Sequence, residues 1–232
     1  MSEDITAFGR LAGELKRVRR KGWMTGVGVR QPESVADHVF RTAVLTMCVS
    51  DMKGLDTEKL VRMALLHDLH EAVMGDYDHA EKTAMGKKEL ERRERSAIQS
   101  MISRLPQPLK ERYRRLAFEY LRQETREAQF LRQLDRLEMI MQALEYERAG
   151  YDRERLQRFW DDVEGTFTPE FQAVVDILKR ERALRGKHHR AIQRTYAPVE
   201  DLYTSSSSER ESIKDGSGRE GDASWGRHKA SP

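Results

Sequence analysis

The sequence predicts an all-α fold: one helical bundle of about eight helices followed by a polar tail. Three observations carry this. Apolar residues recur at three- and four-residue steps through most of the first 186 positions, the signature of helices with one buried face. Prolines number only 6 in 232 residues, and no pair of alternating runs offers itself as a hairpin. Charged residues make up 35% and hydrophobic residues 38%, a balance that suits amphipathic helices around one sizeable core. Residues 1–186 are read as the domain and 187–232 as a low-complexity tail, with Ser205 to Ser208 and scattered Gly and charge, expected to be disordered. There is no internal repeat.

The first helix is predicted over residues 3–20, with Ile5, Phe8, Leu11, Leu15 and Val18 on one face. Its end is basic (Lys16, Arg17, Arg19, Arg20, Lys21), which either complements the helix C-terminus or contacts phosphate. Gly22, Gly26 and Gly28 then break the chain into a loop through Trp23 and Arg30 to Pro32. A second helix is predicted from about Pro32 to Met52, burying Val35, Val39, Val44, Leu45 and Val49, and Gly54 ends it. A third, over about 57–73, is capped by Asp56 or Thr57. The polar stretch from Met74 to Gly86 is predicted to be a loop covering a site. Further helices follow over about 87–104, 107–123, 125–149, 152–163 and 168–185. In the fifth, Leu109, Tyr113, Leu116 and Tyr120 share a side. In the long sixth, Phe130, Leu131, Leu134, Leu137, Met141 and Leu144 form the core face, with Asp135 and Glu138 among them.

Composition excludes several classes. The net charge is +3, with 42 basic residues against 39 acidic, so no dedicated nucleic-acid binder is indicated. No apolar run approaches the roughly 20 residues that span a bilayer, and the N-terminus lacks a signal-peptide plan. The single Cys48 excludes an internal disulfide framework and suits a reducing cytosol, so a cytoplasmic chain is expected.

The chemistry concentrates in Ala64–Asp76. His67 and Asp68 stand side by side in an apolar helix, where both are costly to bury unless something neutralises them. A divalent cation does so, because imidazole nitrogen and carboxylate oxygen are both good ligands. Glu71 falls on the same face, four residues after His67. Asp37-His38 and Asp135 are further polar positions on other helices, and helices meeting in a bundle can aim such side chains at one point. His70 is open to two readings, facing solvent or backing the ligands. Glu138 either orients a ligand or contacts Arg132 or Gln142. Trp23 is either a core plug or a wall of the site. The loop histidine His79 is a candidate substrate contact, and His188-His189 are read as solvated.

The ordered set His38, His67-Asp68 and Asp135 resembles the HD-domain metal-dependent phosphohydrolases. H-D-x-x-E-x-x-x-G-D from His67 to Asp76 is similar to the 5′-deoxynucleotidase branch. So are V-R-x-x-E-S-V-A-D-H (Val29–His38), the Arg20…Gly22-Trp23 segment, and L-D-R-L-E-M-I-x-Q-A-x-E-Y-E (Leu134–Glu147). The likeness covers about residues 10–180. It implies a single divalent metal held by His38, His67, Asp68 and Asp135, with cobalt or manganese favoured and magnesium, zinc, nickel or iron as alternatives. It implies catalytic roles for Glu71 and Asp76, and substrate contacts by Arg20, Trp23, Arg30 and the loop residues Asp76, Tyr77, Asp78 and His79. Homodimers are common in the family, and helices seven and eight offer an apolar patch. The chain departs from the pattern at Tyr77-Asp78-His79-Ala80, where a proline-containing element is usual, and in the Lys21-Gly22 insertion before Trp23.

These parts suit hydrolysis of a deoxynucleoside 5′-monophosphate. Glu71 is placed to orient or deprotonate a water, Asp76 to protonate the leaving 5′ oxygen, and Arg20 and Arg30 to present forks to phosphate. Competing expectations keep the site but change the substrate to a nucleoside triphosphate or cyclic nucleotide, or treat the chain as a non-catalytic helical regulatory protein.

Overall fold

The computed structural model describes residues 2–185, and the tail expected to be disordered lies outside them. The chain divides into the units Met1–Ala183 and Leu184–Pro232. The first is all helical, and among the described residues the only β feature is an isolated bridge between Arg19 and Ser34.

Helix α1 (Ser2–Glu14) is shorter than its apolar pattern suggested, because Leu15–Arg17 tighten into a turn. Leu11 and Leu15 are buried, while Ile5 faces solvent. The glycine-rich stretch expected as loop contains a short helix, α2 (Lys21–Val27), closed by Gly28 at φ 86°. Its sequence is helical enough to wind around Trp23 and Val27, both buried. Helix α3 (Val35–Lys53) opens on a capping box in which Ser34 and Asp37 bond each other's backbone amides, and ends at Gly54, φ 63°. Asp37 is therefore a cap, and its neighbour His38 turns inward. Val44, expected in the core, is exposed; the buried stripe runs instead through Val35, His38, Val39, Thr42, Ala43, Thr46 and Ser50.

The third predicted helix is broken in two. Helix α4 (Thr57–Leu66) starts at the Asp56 cap, and α5 (Glu71–Met74) follows after a turn. Through that turn the amides of Leu69, Glu71, Ala72 and Val73 bond carbonyls three residues back, at 3.0–3.2 Å. Three residues per turn bring Asp68 and Glu71 into line along the axis. Within the expected 74–86 loop lies another helix, α6 (His79–Met85), capped by Asp78 through a second capping box with Glu81.

The remaining helices match expectation: α7 (Lys87–Ser103), α8 (Gln107–Arg122), α9 (Arg126–Arg148), α10 (Arg153–Asp161) and α11 (Pro169–Arg185). Helix α9 serves three packing groups. Ala128 and Leu131 join the group of α1, α3, α4, α7 and α8. Ile140, Ala143 and Leu144 pack with α2 and α10, and Leu134 and Leu137 with Phe171 and Val175 of α11. A helix buried on so many sides gives its polar side chains fixed positions. The apolar residues Leu156, Phe159, Trp160, Phe171 and Val175 of α10 and α11 are buried in the same chain. No described helix is long and apolar enough to cross a membrane.

Candidate metal centre

Two helices, α3 and α9, and the turn between α4 and α5 bring four donor atoms together. His38 Nε2, from α3, lies 3.1 Å from Asp135 Oδ1 of α9. It lies 3.3 Å from His67 Nε2 and 3.6 Å from Asp68 Oδ2. His67 Nε2 in turn is 3.2 Å from Asp68 Oδ2. The nitrogens and the Asp135 carboxylate form a group with the mutual spacing of a cation site.

Each donor is held from behind. His67 Nδ1 is 2.6 Å from the carbonyl of Ala64, a bond that puts the proton on Nδ1 and leaves Nε2 with its lone pair. His38 Nδ1 meets Glu138 Oε2, and Glu138 Oε1 accepts from Arg41 Nε at 2.8 Å and Nη2 at 2.6 Å. Arg41 also donates to Glu145 and Gln142, both at 2.7 Å. Of the readings open for Glu138, contact with the ligand histidine is the one present. Asp135 Oδ2 accepts from Tyr120 OH at 2.8 Å.

The electrostatics favour positive charge at the meeting point. Burial and Arg20 disfavour the His38 cation, yet Glu138 and Asp135 outweigh them and push the imidazole up to about 10. His67 is raised as well: burial opposes its cation, and Asp68 and Asp135 prevail. Burial works against the Asp68 and Asp135 anions, but the two histidines hold both carboxyls well below the usual range. A site whose own field favours positive charge is one that a divalent cation suits. The donor set of two imidazoles and two carboxylates, with both outward nitrogens already engaged, fits such an ion.

Beside it stand the carboxylates of Glu71 and Asp76, each 7% exposed. Glu71 Oε2 has no hydrogen-bond partner. Burial, then Asp68 and Asp76, raise the Glu71 carboxyl well above its ordinary value. Burial also raises Asp76, against the pull of Arg20, and Asp76 Oδ2 accepts from the Lys21 backbone amide at 2.6 Å. Arg20 Nη1 lies 3.4 Å from Asp68 Oδ2, and Arg20 Nε 4.0 Å from Glu33 Oε1. Glu33 is the hub behind it: it takes the Trp23 indole N–H at 2.9 Å, and its backbone amide donates to Tyr146 OH at 2.8 Å. Burial, with Glu138 nearby, pushes the Glu33 carboxyl up to about 7.

Other expected contacts fall elsewhere. Trp23 is core: 1% exposed, it packs on Phe159 and Tyr146 and reaches the site only through Glu33. Asp78 caps α6. Tyr77 accepts from Arg93 at 3.2 Å. His79 and Arg30 are exposed. His70 does not face solvent: it is buried behind His67, its Nδ1 lacks a partner, and burial lowers its pKa. Tyr120, Arg41 and Glu33 are the supporting residues sequence reasoning did not single out. Arg41 carries a signal, lying three residues after His38 on the same helical face.

A family model described as HD domain matches residues 12–175. The chain belongs to the HD-domain family. Among curated relatives, this HD domain is 40% identical to the 5′-deoxynucleotidase HDDC2 of Homo sapiens over 183 residues, 78% of this chain and 88% of that protein. Among solved structures, it matches a conserved hypothetical protein from Pyrococcus furiosus with TM-score 0.62 and 34% identity, covering 77% of this chain and 99% of the other. A predicted metal-dependent phosphohydrolase from Magnetospirillum magnetotacticum MS-1 matches with TM-score 0.59 and 25% identity, covering 79% and 93%.

Proposed function

We propose that this HD domain is a metal-dependent phosphomonoesterase that hydrolyses deoxynucleoside 5′-monophosphates to nucleoside and phosphate. The observation carrying the reading is the convergence of His38 Nε2, His67 Nε2, Asp68 Oδ2 and Asp135 Oδ1 beside two buried carboxylates. The substrate class is supported by relatives named 5′-deoxynucleotidase that match most of their length.

His38, His67, Asp68 and Asp135 hold one divalent ion, cobalt or manganese in the first instance. When bound, that ion supplies a water of lowered pKa and draws charge from the phosphoryl group. Glu71, with a free buried oxygen and a raised pKa, orients the attacking water and takes its proton. Arg20, next to Asp68, presents its guanidinium to phosphate oxygens and neutralises charge that builds there. Asp76, whose carboxyl burial raises, is placed to pass a proton to the departing 5′ oxygen. Tyr77, Asp78, His79 and Arg30 line the approach at most, and Trp23 supports Arg20 through Glu33. The lone Cys48 supports a cytoplasmic setting. A homodimer is supported by Phe40, Val44 and Met47, exposed on one side of α3, and sedimentation would test it.

The test is phosphate release from deoxynucleoside and ribonucleoside monophosphates, deoxynucleoside triphosphates and a cyclic dinucleotide. Chelated protein is assayed before and after restoring cobalt, manganese, magnesium or zinc, beside Asp68→Ala and Glu71→Ala. Metal-dependent release from the deoxynucleoside monophosphates, lost in both variants, is the expected result. Release confined to triphosphates or cyclic substrates would overturn the substrate class and leave the centre intact.

A further inference from the structure

Two glycines bracket the segment that carries Asp76. Gly75 sits at φ 79°, ψ 167° and Gly86 at φ 78°, ψ 152°, backbone conformations that are essentially closed to other residues. A Cβ at either position would meet nothing within 4 Å, so the conformation, not space, demands glycine. Between them α6 buries none of its residues. A seven-residue helix with no core contact has little stability of its own. It lies against α7, and α2 tethers the segment through Thr25, which bonds the Asp78 carboxylate, and through Lys21.

Lys21 reaches the segment three times. Its backbone amide donates to Asp76 at 2.6 Å, and its ammonium donates to Glu81 at 2.8 and 3.1 Å. The same ammonium stands 5.4 Å from the Tyr77 ring centroid. Arg93 of α7 holds the Tyr77 hydroxyl from the other side. Lys21 is also the neighbour of Arg20, so the turn that aims Arg20 at Asp68 sets the distance to the segment.

We propose that residues 76–85 form a lid hinged at Gly75 and Gly86, and that Lys21 is a positioning residue that latches it with Asp76 beside Arg20 and Glu71. The pair is suited to opening. The Lys21 and Glu81 side chains are 41% and 39% exposed, and exposed ion pairs shift an equilibrium only about two- to fivefold. A latch of that strength lets substrate in and product out while keeping the closed form favoured. Lys21 stands in the two-residue insertion before Trp23, and Glu81 beyond the altered loop sequence. The two departures of this chain from the family pattern meet where the Lys21 ammonium stands 5.4 Å from the Tyr77 ring centroid.

Hydrogen exchange of the full chain, read by mass spectrometry, tests the lid without reference to activity. Lys21→Met, which keeps the backbone amide, is expected to raise exchange across residues 77–86 about two- to fivefold and to leave α9 unchanged. Lys21→Arg, which keeps a cation for Glu81 and leaves the Asp78–Glu81 capping box untouched, should hold wild-type protection. The kinetic arm rests on the proposed nucleotidase activity: kcat should fall by a similar factor in Lys21→Met and stay at the wild-type level in Lys21→Arg. Unchanged exchange in Lys21→Met, an equal rise throughout α9, or a rise in Lys21→Arg as large as in Lys21→Met would each overturn the proposal. Failure of the nucleotidase reading would show as silence of the wild-type protein in the substrate panel, with the exchange result still deciding the lid.

Discussion

Glu138 offers a sharp test of how the centre is built, because its two oxygens serve two different masters. One receives the His38 Nδ1 proton; the other receives Arg41 at 2.8 and 2.6 Å. Glu138→Gln keeps the shape but leaves one acceptor. If the amide oxygen faces Arg41, the amide N–H₂ faces His38 Nδ1, and the imidazole must move its proton to Nε2, where the metal belongs. If the oxygen faces His38, Arg41 meets an N–H₂ group and keeps only Glu145 and Gln142. The first arrangement has to be undone for the ion to bind, and the second holds the right tautomer only by giving up the Arg41 bonds to residue 138. Loss of such a partner lowers metal affinity about 10- to 100-fold, or about 1.4–2.8 kcal/mol. The lost charge-assisted bonds cost the fold about 1.5–3 kcal/mol, a Tm drop of roughly 3–12 °C for a domain this size. Calorimetric titration of chelated protein with manganese or cobalt reads the first quantity and thermal melts the second. Glu138→Gln that binds metal within about twofold of wild type would refute the claim that Glu138 sets the His38 tautomer.

Tyr120→Phe removes the bond to Asp135 and should cost about 1 kcal/mol of stability with a measurable drop in metal affinity; unchanged titration would make Tyr120 a packing residue only. Trp23→Ala should destabilise by about 3–5 kcal/mol, seen in urea melts, whereas a purely substrate-facing tryptophan would leave stability nearly unaltered. In metal-free protein, the His38 pKa is raised to about 10, so its stabilising contribution is complete below the unfolded value of about 6.5 and lost as pH rises through about 10. Melts of chelated protein should therefore fall between pH 7 and 10, and a flat profile would count against it. Restoring metal at about 100 times Kd should add about 2.7 kcal/mol, and no rise in Tm would argue against a resident ion.

Much of the bundle was legible because its helices carry an apolar stripe and obvious stops and starts: Gly54 ends α3 and Asp56 caps α4, as expected. The four donors were legible for a related reason. His38, His67, Asp68 and Asp135 are polar residues at positions where periodicity calls for apolar ones, and such a conflict marks a site. What escaped were the short pieces. Helix α2 hides among three glycines, and α6 has no buried face to betray it; in both, local capping and tethering decide the structure, and these leave no periodic trace. The supporting residues escaped because their roles depend on distant partners. Glu33 and Tyr146 are 113 positions apart, and Arg41 lies 97 and 104 positions from its partners Glu138 and Glu145.

The break between α4 and α5 joins the two halves of the molecule's logic. An uninterrupted helix would advance Asp68 to Glu71 by 300°, leaving the carboxylates 60° apart around the axis. The turn with bonds three residues back lines them up. That alignment sets Asp68 against Glu71 and contributes to the raised Glu71 pKa, which like-charge repulsion would disfavour in a protein selected for stability alone. The same turn ends at Gly75, in a conformation only glycine readily takes, from which Asp76 swings to the Lys21 amide. Backbone strain, aligned carboxylates and an unpartnered buried oxygen therefore occur within ten residues of one chain segment. Stability explains none of the three, and a metal centre with a proton acceptor on one side and a hinged proton donor on the other explains them together.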